Sequence, residues 1–121
     1  MSAQLLRDLS YSTCFICGDP GAGLGFSPSD EFKVRPKWLC DDPLCLGSAR
    51  KAYDMSSSHR TAQALEARDK GGEAAGAYLE EIGKTDIGEL TLEEWREFLD
   101  RFVRARADHL RRLAASFAPP F

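Results

Sequence analysis

From residue 92 onward the apolar positions recur every three or four residues: Leu92, Trp95, Phe98, Leu99, Phe102, Val103, Leu110 and Leu113. That spacing is the repeat of an amphipathic helix. Its start is marked by Thr91-Leu-Glu-Glu94, a capping box in which side chain and backbone satisfy each other's free groups. Leu90 and Trp95 stand at the positions of a hydrophobic staple. The pattern predicts a helix over 92–116, ending before Pro119-Pro120. Upstream, Ala75, Tyr78, Leu79 and Ile82 predict a helix over 73–82, stopped at Gly83. A separate helix is expected over 60–70, with Gly71-Gly72 as the break between the two. Thr85 to Leu90 reads as a turn.

The first half has a different rhythm. Residues 1–10 form a short lead-in with at most one helical turn. Phe32-Lys-Val-Arg35 alternates as a short strand, and Lys37-Trp-Leu-Cys40 as a second, with Pro36 limiting their pairing. Asp42 before Pro43 is a helix start, because proline at the first helical position loses no hydrogen bond. That helix is expected to run through Ala49, Ala52 and Tyr53. All four cysteines and four of the six prolines fall in 11–55, and no cysteine follows. The chain therefore divides near Ser56-Ser57-Ser58 into a cysteine module, 1–55, and a helical region, 56–121. The expected fold class is small α+β.

Composition narrows the function. With 43% hydrophobic and 29% charged residues, the 121-residue chain has the make-up of a folded domain. A formal net charge of -3 confines any nucleic-acid contact to a local patch. The N-terminus is too polar for a secretory leader, and no apolar run reaches the roughly 18 residues of a membrane helix. A cytoplasmic protein is expected, and there four cysteines are read as metal ligands rather than disulfides.

Their pattern is C-x2-C-x22-C-x4-C: Cys14, Cys17, Cys40 and Cys45. A C-x2-C turn lets two sulfurs converge on one ion, and Gly18 permits its tight backbone. Cys40 at a strand end and Cys45 in the first turn of the next helix bring two more sulfurs to the same point. Backbone N–H groups and the helix dipole there favour thiolate. Knuckle, hairpin and a helix carrying the last ligand make the layout of a treble-clef zinc finger, with one structural Zn2+ and no open coordination position. An iron site of rubredoxin type, which prefers two C-x2-C pairs, and two disulfides are the alternatives.

Gly21-Ala-Gly-Leu-Gly25 has the glycine content of a phosphate-binding loop. It lacks the preceding strand and following helix of the dinucleotide motif, and the Gly-Lys-Ser/Thr of a phosphate loop. It is read as a flexible connection between knuckle and hairpin. Lys33, Arg35, Lys37 and Trp38 form a candidate contact patch for nucleic acid or a partner; otherwise the cations offset the thiolates and Trp38 covers the metal. Arg101, Arg104, Arg111 and Arg112 fall within one arc of the last helix, away from its apolar stripe. They are a second candidate patch, or a solvated face laced by the i,i+4 pairs Glu97–Arg101, Asp100–Arg104 and Asp108–Arg112. Arg106 projects near the apolar stripe and is expected to snorkel or to face a partner. His59 is read as a helix-start histidine and His109 as a partly buried one. No H-x-x-x-H or G-x-S-x-G pattern is present, and no histidine lies between Cys17 and Cys45 for a nuclease built on this finger.

Cys14-Phe-Ile-Cys17-Gly18, Trp38-Leu-Cys40, the stretch Ala77-Tyr-Leu-Glu-Glu-Ile-Gly-Lys-Thr-Asp86 and Leu90-Thr-Leu-Glu-Glu-Trp95 together resemble a family of small proteins encoded in bacteriophages and prophages. The resemblance implies a zinc-finger-like cysteine cluster followed by a helical part, and a phage context, without an established activity. A non-enzymatic zinc protein that binds or inhibits a host protein is the leading expectation. A nucleic-acid-binding zinc-finger module is the alternative. The long apolar stripe of 92–116 also suits a homodimer through that helix. A degenerate nuclease is the third option.

Overall fold

The computed structural model describes residues 13–28 and 36–118. Within them, β1 (Leu24–Phe26) and β2 (Lys37–Leu39) form an antiparallel pair, followed by α1 (Pro43–Tyr53), α2 (Ser57–Ile82), one 3-10 turn (Ile87–Glu89) and α3 (Leu92–Ser116). The fold class is small α+β, as expected. The lead-in over 1–10 and the strand expected at Phe32–Arg35 lie outside the described residues.

The hairpin corrects the expectation for the glycine stretch. Leu24, Gly25 and Phe26 pair with Leu39, Trp38 and Lys37, so the end of Gly21–Gly25 is strand rather than loop. Gly25 faces the indole of Trp38, where an added Cβ would lie 3.0 Å from the ring. A side chain there would displace the tryptophan, so the glycine makes a close strand approach.

Each helix starts where its polar cap permits. The Asp42 side chain accepts from Leu44 N at 2.9 Å, and Pro43 opens α1. Ser56 Oγ accepts from His59 N at 3.2 Å and opens α2. The Thr91 capping box has both of its halves: Glu94 N donates to Thr91 Oγ1 at 3.1 Å, and Thr91 N donates to Glu94 Oε1 at 2.9 Å.

α2 is one helix, not two. It passes through Gly71-Gly72 without interruption and ends at Gly83, whose φ of 70° is left-handed. Gly83 N donates to Glu80 O at 3.2 Å and Lys84 N to Leu79 O at 3.1 Å, closing the free carbonyls. The expected break fails because α2 packs along α3 through small residues. Its buried positions are Ala67, Gly71 and Ala75, four residues apart. An isolated helix loses about 1 kcal/mol at a glycine, but here the glycine admits a close crossing.

One core spans both halves of the chain. Ile16, Leu39, Ala49, Ala52, Met55 and the four cysteines share it with Ala107 and Ala114 of α3, and Phe117 packs against it. The largest fully buried side chains are Cys14, Cys17 and Cys45. A centre filled by cysteine and alanine buries little carbon, so apolar burial alone holds it weakly. No described helix is long and apolar enough to cross a membrane.

Candidate metal centre

Two local structures present the sulfurs. In the knuckle, Cys14 N donates to Asp19 O at 2.8 Å and Gly18 N to Cys14 O at 3.0 Å. Gly18 takes a φ of 81°, which lets the chain reverse. Phe15 N donates to Trp38 O at 2.9 Å and ties the knuckle to β2. Cys40 follows that strand, and Cys45 stands in the first turn of α1.

The four cysteines are buried, and their sulfurs all lie within 4.8 Å of one another. Cys17 and Cys40 Sγ are 3.7 Å apart. Four sulfurs held tetrahedrally around an ion at about 2.3 Å are separated by roughly 3.8 Å, so the pocket has the dimensions of a closed four-thiolate site. A disulfide needs about 2.05 Å, and all four thiols are free. Cys14, Cys17, Cys40 and Cys45 are therefore a group that could hold a metal ion.

The protonation of the cluster fits a cation. A hydrogen bond from Cys17 holds the Cys14 thiol well below its usual range, and the same bond holds Cys17 high. Burial pushes Cys45 up to about 12. Without a cation Cys17 and Cys45 hold their protons more tightly than free thiols, because burial and the neighbouring sulfurs penalise further thiolates in one low-dielectric pocket. A bound metal ion replaces those protons.

Two further donors reach a sulfur. Asp19 N and Arg111 Nη2 each lie 3.4 Å from Cys17 Sγ. Arg111 also meets Asp19 Oδ2 at 2.6 Å, Asp108 Oδ1 at 3.0 Å and Asp42 Oδ2 at 3.6 Å, with its side chain 11% exposed. Burial works against its charge, but Cys45, Cys17 and Asp19 hold its pKa above the usual arginine value. Arg111 thus clamps α3 to the knuckle and to the cap of α1. This corrects its placement in an exposed arginine arc. The expected Asp108–Arg112 pair is replaced by Asp108–Arg111, and Arg112 is exposed.

Lys33 and Arg35 of the first contact patch lie outside the described residues. Lys37 donates to Tyr53 O at 2.9 Å and sits 4.5 Å over the Tyr53 ring, so it is engaged inside the fold. Trp38 is half-buried against Gly25. Arg101 meets Glu97 at 2.7 Å, as the spacing predicts, and also Glu81 of α2 at 3.3 Å. Arg104 takes Glu97 at 3.1 Å and the Asp100 carbonyl rather than its carboxylate, which corrects the expected Asp100–Arg104 ion pair. His59 lies in the first turn of α2 with its ring 4.9 Å from Phe117, and His109 Nε2 is 3.4 Å from Glu66.

Sequence reasoning missed Asp19, Asp42 as an arginine partner, and the inward role of Arg111, which it placed in a surface patch. Asp19 has a weak signal, two residues after a ligand. Arg111 has none, since 94 residues separate it from Cys17. Replacing Arg111 with Met leaves the half-buried carboxylates of Asp19 and Asp42 without their cation and removes an N–H···S donor. Metal affinity is expected to fall by about 10–100-fold, the usual cost of losing an outer partner, with Arg111→Lys between the two. Competition against a chromophoric chelator measures it, and unchanged affinity would refute the clamp.

A model for a family of unknown function (DUF6511) matches residues 58–121, which is 64 of the 121 residues. The match covers the helical part, including the two stretches that carry most of the phage-family resemblance, and none of the four cysteines. No curated protein and no solved structure matches the chain.

Proposed function

We infer the role of this chain, which belongs to the family of unknown function DUF6511, from its own geometry: it is a non-enzymatic zinc module that docks on a protein. The metal is zinc, because four soft thiolates at tetrahedral spacing select it and the C-x4-C half departs from an iron site. The knuckle, hairpin and helix are a treble clef in this reading. A closed ligand set leaves no metal position for a substrate, so the ion organises the fold.

One observation carries the binding role. Leu92, Leu99 and Val103 are 61%, 41% and 51% exposed on the same face of α3 where Ala107 and Ala114 are buried against the cysteine module. The stripe is continuous in sequence but covered over only half its length. An apolar helix face left bare suits insertion into a partner's groove. The resemblance to phage-encoded proteins makes that partner a host protein. The nucleic-acid alternative is less well supported, because Lys37, Arg101, Arg104 and Arg111 are engaged within the fold.

Metal analysis of the purified chain is expected to find one zinc per chain. Folded protein with much less would refute the zinc assignment. Co-purification from host cells is expected to retain a protein with the native chain, resistant to nuclease, and to lose it with Leu99→Glu/Val103→Glu. Both sites are exposed, so folding is spared. Losing roughly 2 kcal/mol of apolar burial weakens binding by about 30-fold. Retention of the same protein by the double variant, or salt-sensitive nucleic acid alone, would overturn the role.

A further inference from the structure

A cleft of about 630 Å³ lies between the knuckle, α1, α2 and α3. Its floor is apolar, with Phe15, Ile16, Met55 and Leu110, and its rim carries Arg60 and Arg106. Among the described residues its lining contains no aspartate or glutamate. The two arginines differ. Arg60 donates to the Phe15 carbonyl, and its guanidinium lies 5.4 Å from the Phe15 ring centroid, which fixes it and, among the described residues, leaves further N–H groups without a partner. Arg106 is half-buried, and no hydrogen bond or ion pair among the described residues engages its guanidinium. It reaches over the knuckle at Gly18, where a Cβ would lie 3.2 Å from Arg106 Nη1. Among the described residues nothing uses its planar fork of N–H donors.

We propose that this cleft binds an acidic peptide segment of a partner protein, with a carboxylate held by Arg106 and Arg60 and a neighbouring apolar side chain on the floor. The proposal rests on the protein-docking role and adds a second contact, separate from the bare face of α3. A planar guanidinium matches a carboxylate in two parallel hydrogen bonds. An apolar cleft with a few convergent polar groups is the usual form of a recognition pocket. Its open side favours a segment of chain over an enclosed lipid tail.

The test titrates the isotope-labelled, zinc-loaded full chain with two pools of acetylated, amidated pentapeptides. Both pools have apolar residues flanking the centre, with Glu at the centre in one and Gln in the other. The Glu pool is expected to shift the Arg106 and Arg60 side-chain signals and to bind at least 10-fold more tightly than the Gln pool. Arg106→Gln is expected to abolish that preference with zinc content and melting temperature unchanged, and Arg106→Lys to keep part of it. Equal binding of both pools, or no shift at millimolar peptide in low salt, overturns the proposal. So does a loss of zinc or melting temperature in Arg106→Gln, which makes Arg106 a structural residue. Contacts from residues 1–12 to Arg106 in the unliganded chain would assign the cleft to this chain's own segment and also overturn it. Leu99→Ser/Val103→Ser, which removes the apolar α3 face without adding a carboxylate one turn from Arg106, should bind the Glu pool normally, which separates failure of this cleft from failure of the α3 face.

Discussion

Cys45→Ser is expected to cost residues 13–55 their fixed structure while α2 and α3 remain largely helical. The reason lies in what fills the centre. Its largest fully buried side chains are themselves cysteines, and the rest of the contacts are alanines and a few larger apolar residues. A structural zinc site contributes about 10–16 kcal/mol at neutral pH in small fingers, against about 5–15 kcal/mol for the whole stability of an ordinary domain. With the proposed zinc bound, the metal term dominates this module. Serine leaves three sulfurs and a buried hydroxyl where the proposed ion would take four thiolates. The loss also reaches α3: Ala107, Ala114 and Phe117 lose the surface they pack on, and Arg111 loses its sulfur partner. Two-dimensional amide spectra should lose dispersion for residues 13–55, and exchange protection should fall over the last turns of α3. Far-ultraviolet dichroism should keep most of its helical signal. Native dispersion throughout a zinc-free Cys45→Ser chain would show that the metal does not hold the fold.

How much of this was legible in the sequence follows from how local each cause is. The two cysteine pairs, the caps at Asp42 and Thr91 and the stop at Gly83 are each set within a few residues, so spacing and residue type reveal them. The strand at Leu24–Phe26 was hidden because its middle residue is glycine, placed there to admit Trp38 from the other strand. The unbroken α2 was hidden for the same reason, since Gly71 answers to Phe102, 31 positions later. Arg111 looked like one more surface cation because its partners Asp19 and Asp42 come from the other end of the chain. The pattern of 92–116 foretold an apolar face, but not that the cysteine module covers only its second half. Contacts made across the chain, not local propensities, account for each of these gaps.

The same long-range contact gives Gly71 and Gly72 opposite expected responses to alanine. In a helix interior, glycine to alanine normally stabilises by about 0.5–1 kcal/mol, because alanine has less chain entropy to lose. Gly72 should follow that rule: nothing lies within 4 Å of the Cβ it would gain. At Gly71 the added carbon would stand 2.8 Å from the Phe102 carbonyl oxygen, and 2.9 and 3.0 Å from two carbons of its ring. The ring can turn away, but the carbonyl belongs to the backbone of α3 and moves only if the helices separate. Separation would loosen the contacts around Ala67 and Ala75, the other buried positions of α2. Overpacking of this kind costs about 1–3 kcal/mol, which outweighs the gain in helix propensity. Gly71→Ala should therefore unfold at lower denaturant than the native chain, and Gly72→Ala at slightly higher, in zinc-loaded samples with equal metal content. Gly71→Leu, with a longer side chain at the same crossing, should separate α2 from α3 outright and show it as lost exchange protection on both. If Gly71→Ala instead proves as stabilising as Gly72→Ala, the helices do not cross this closely in solution, and the unbroken α2 needs another cause.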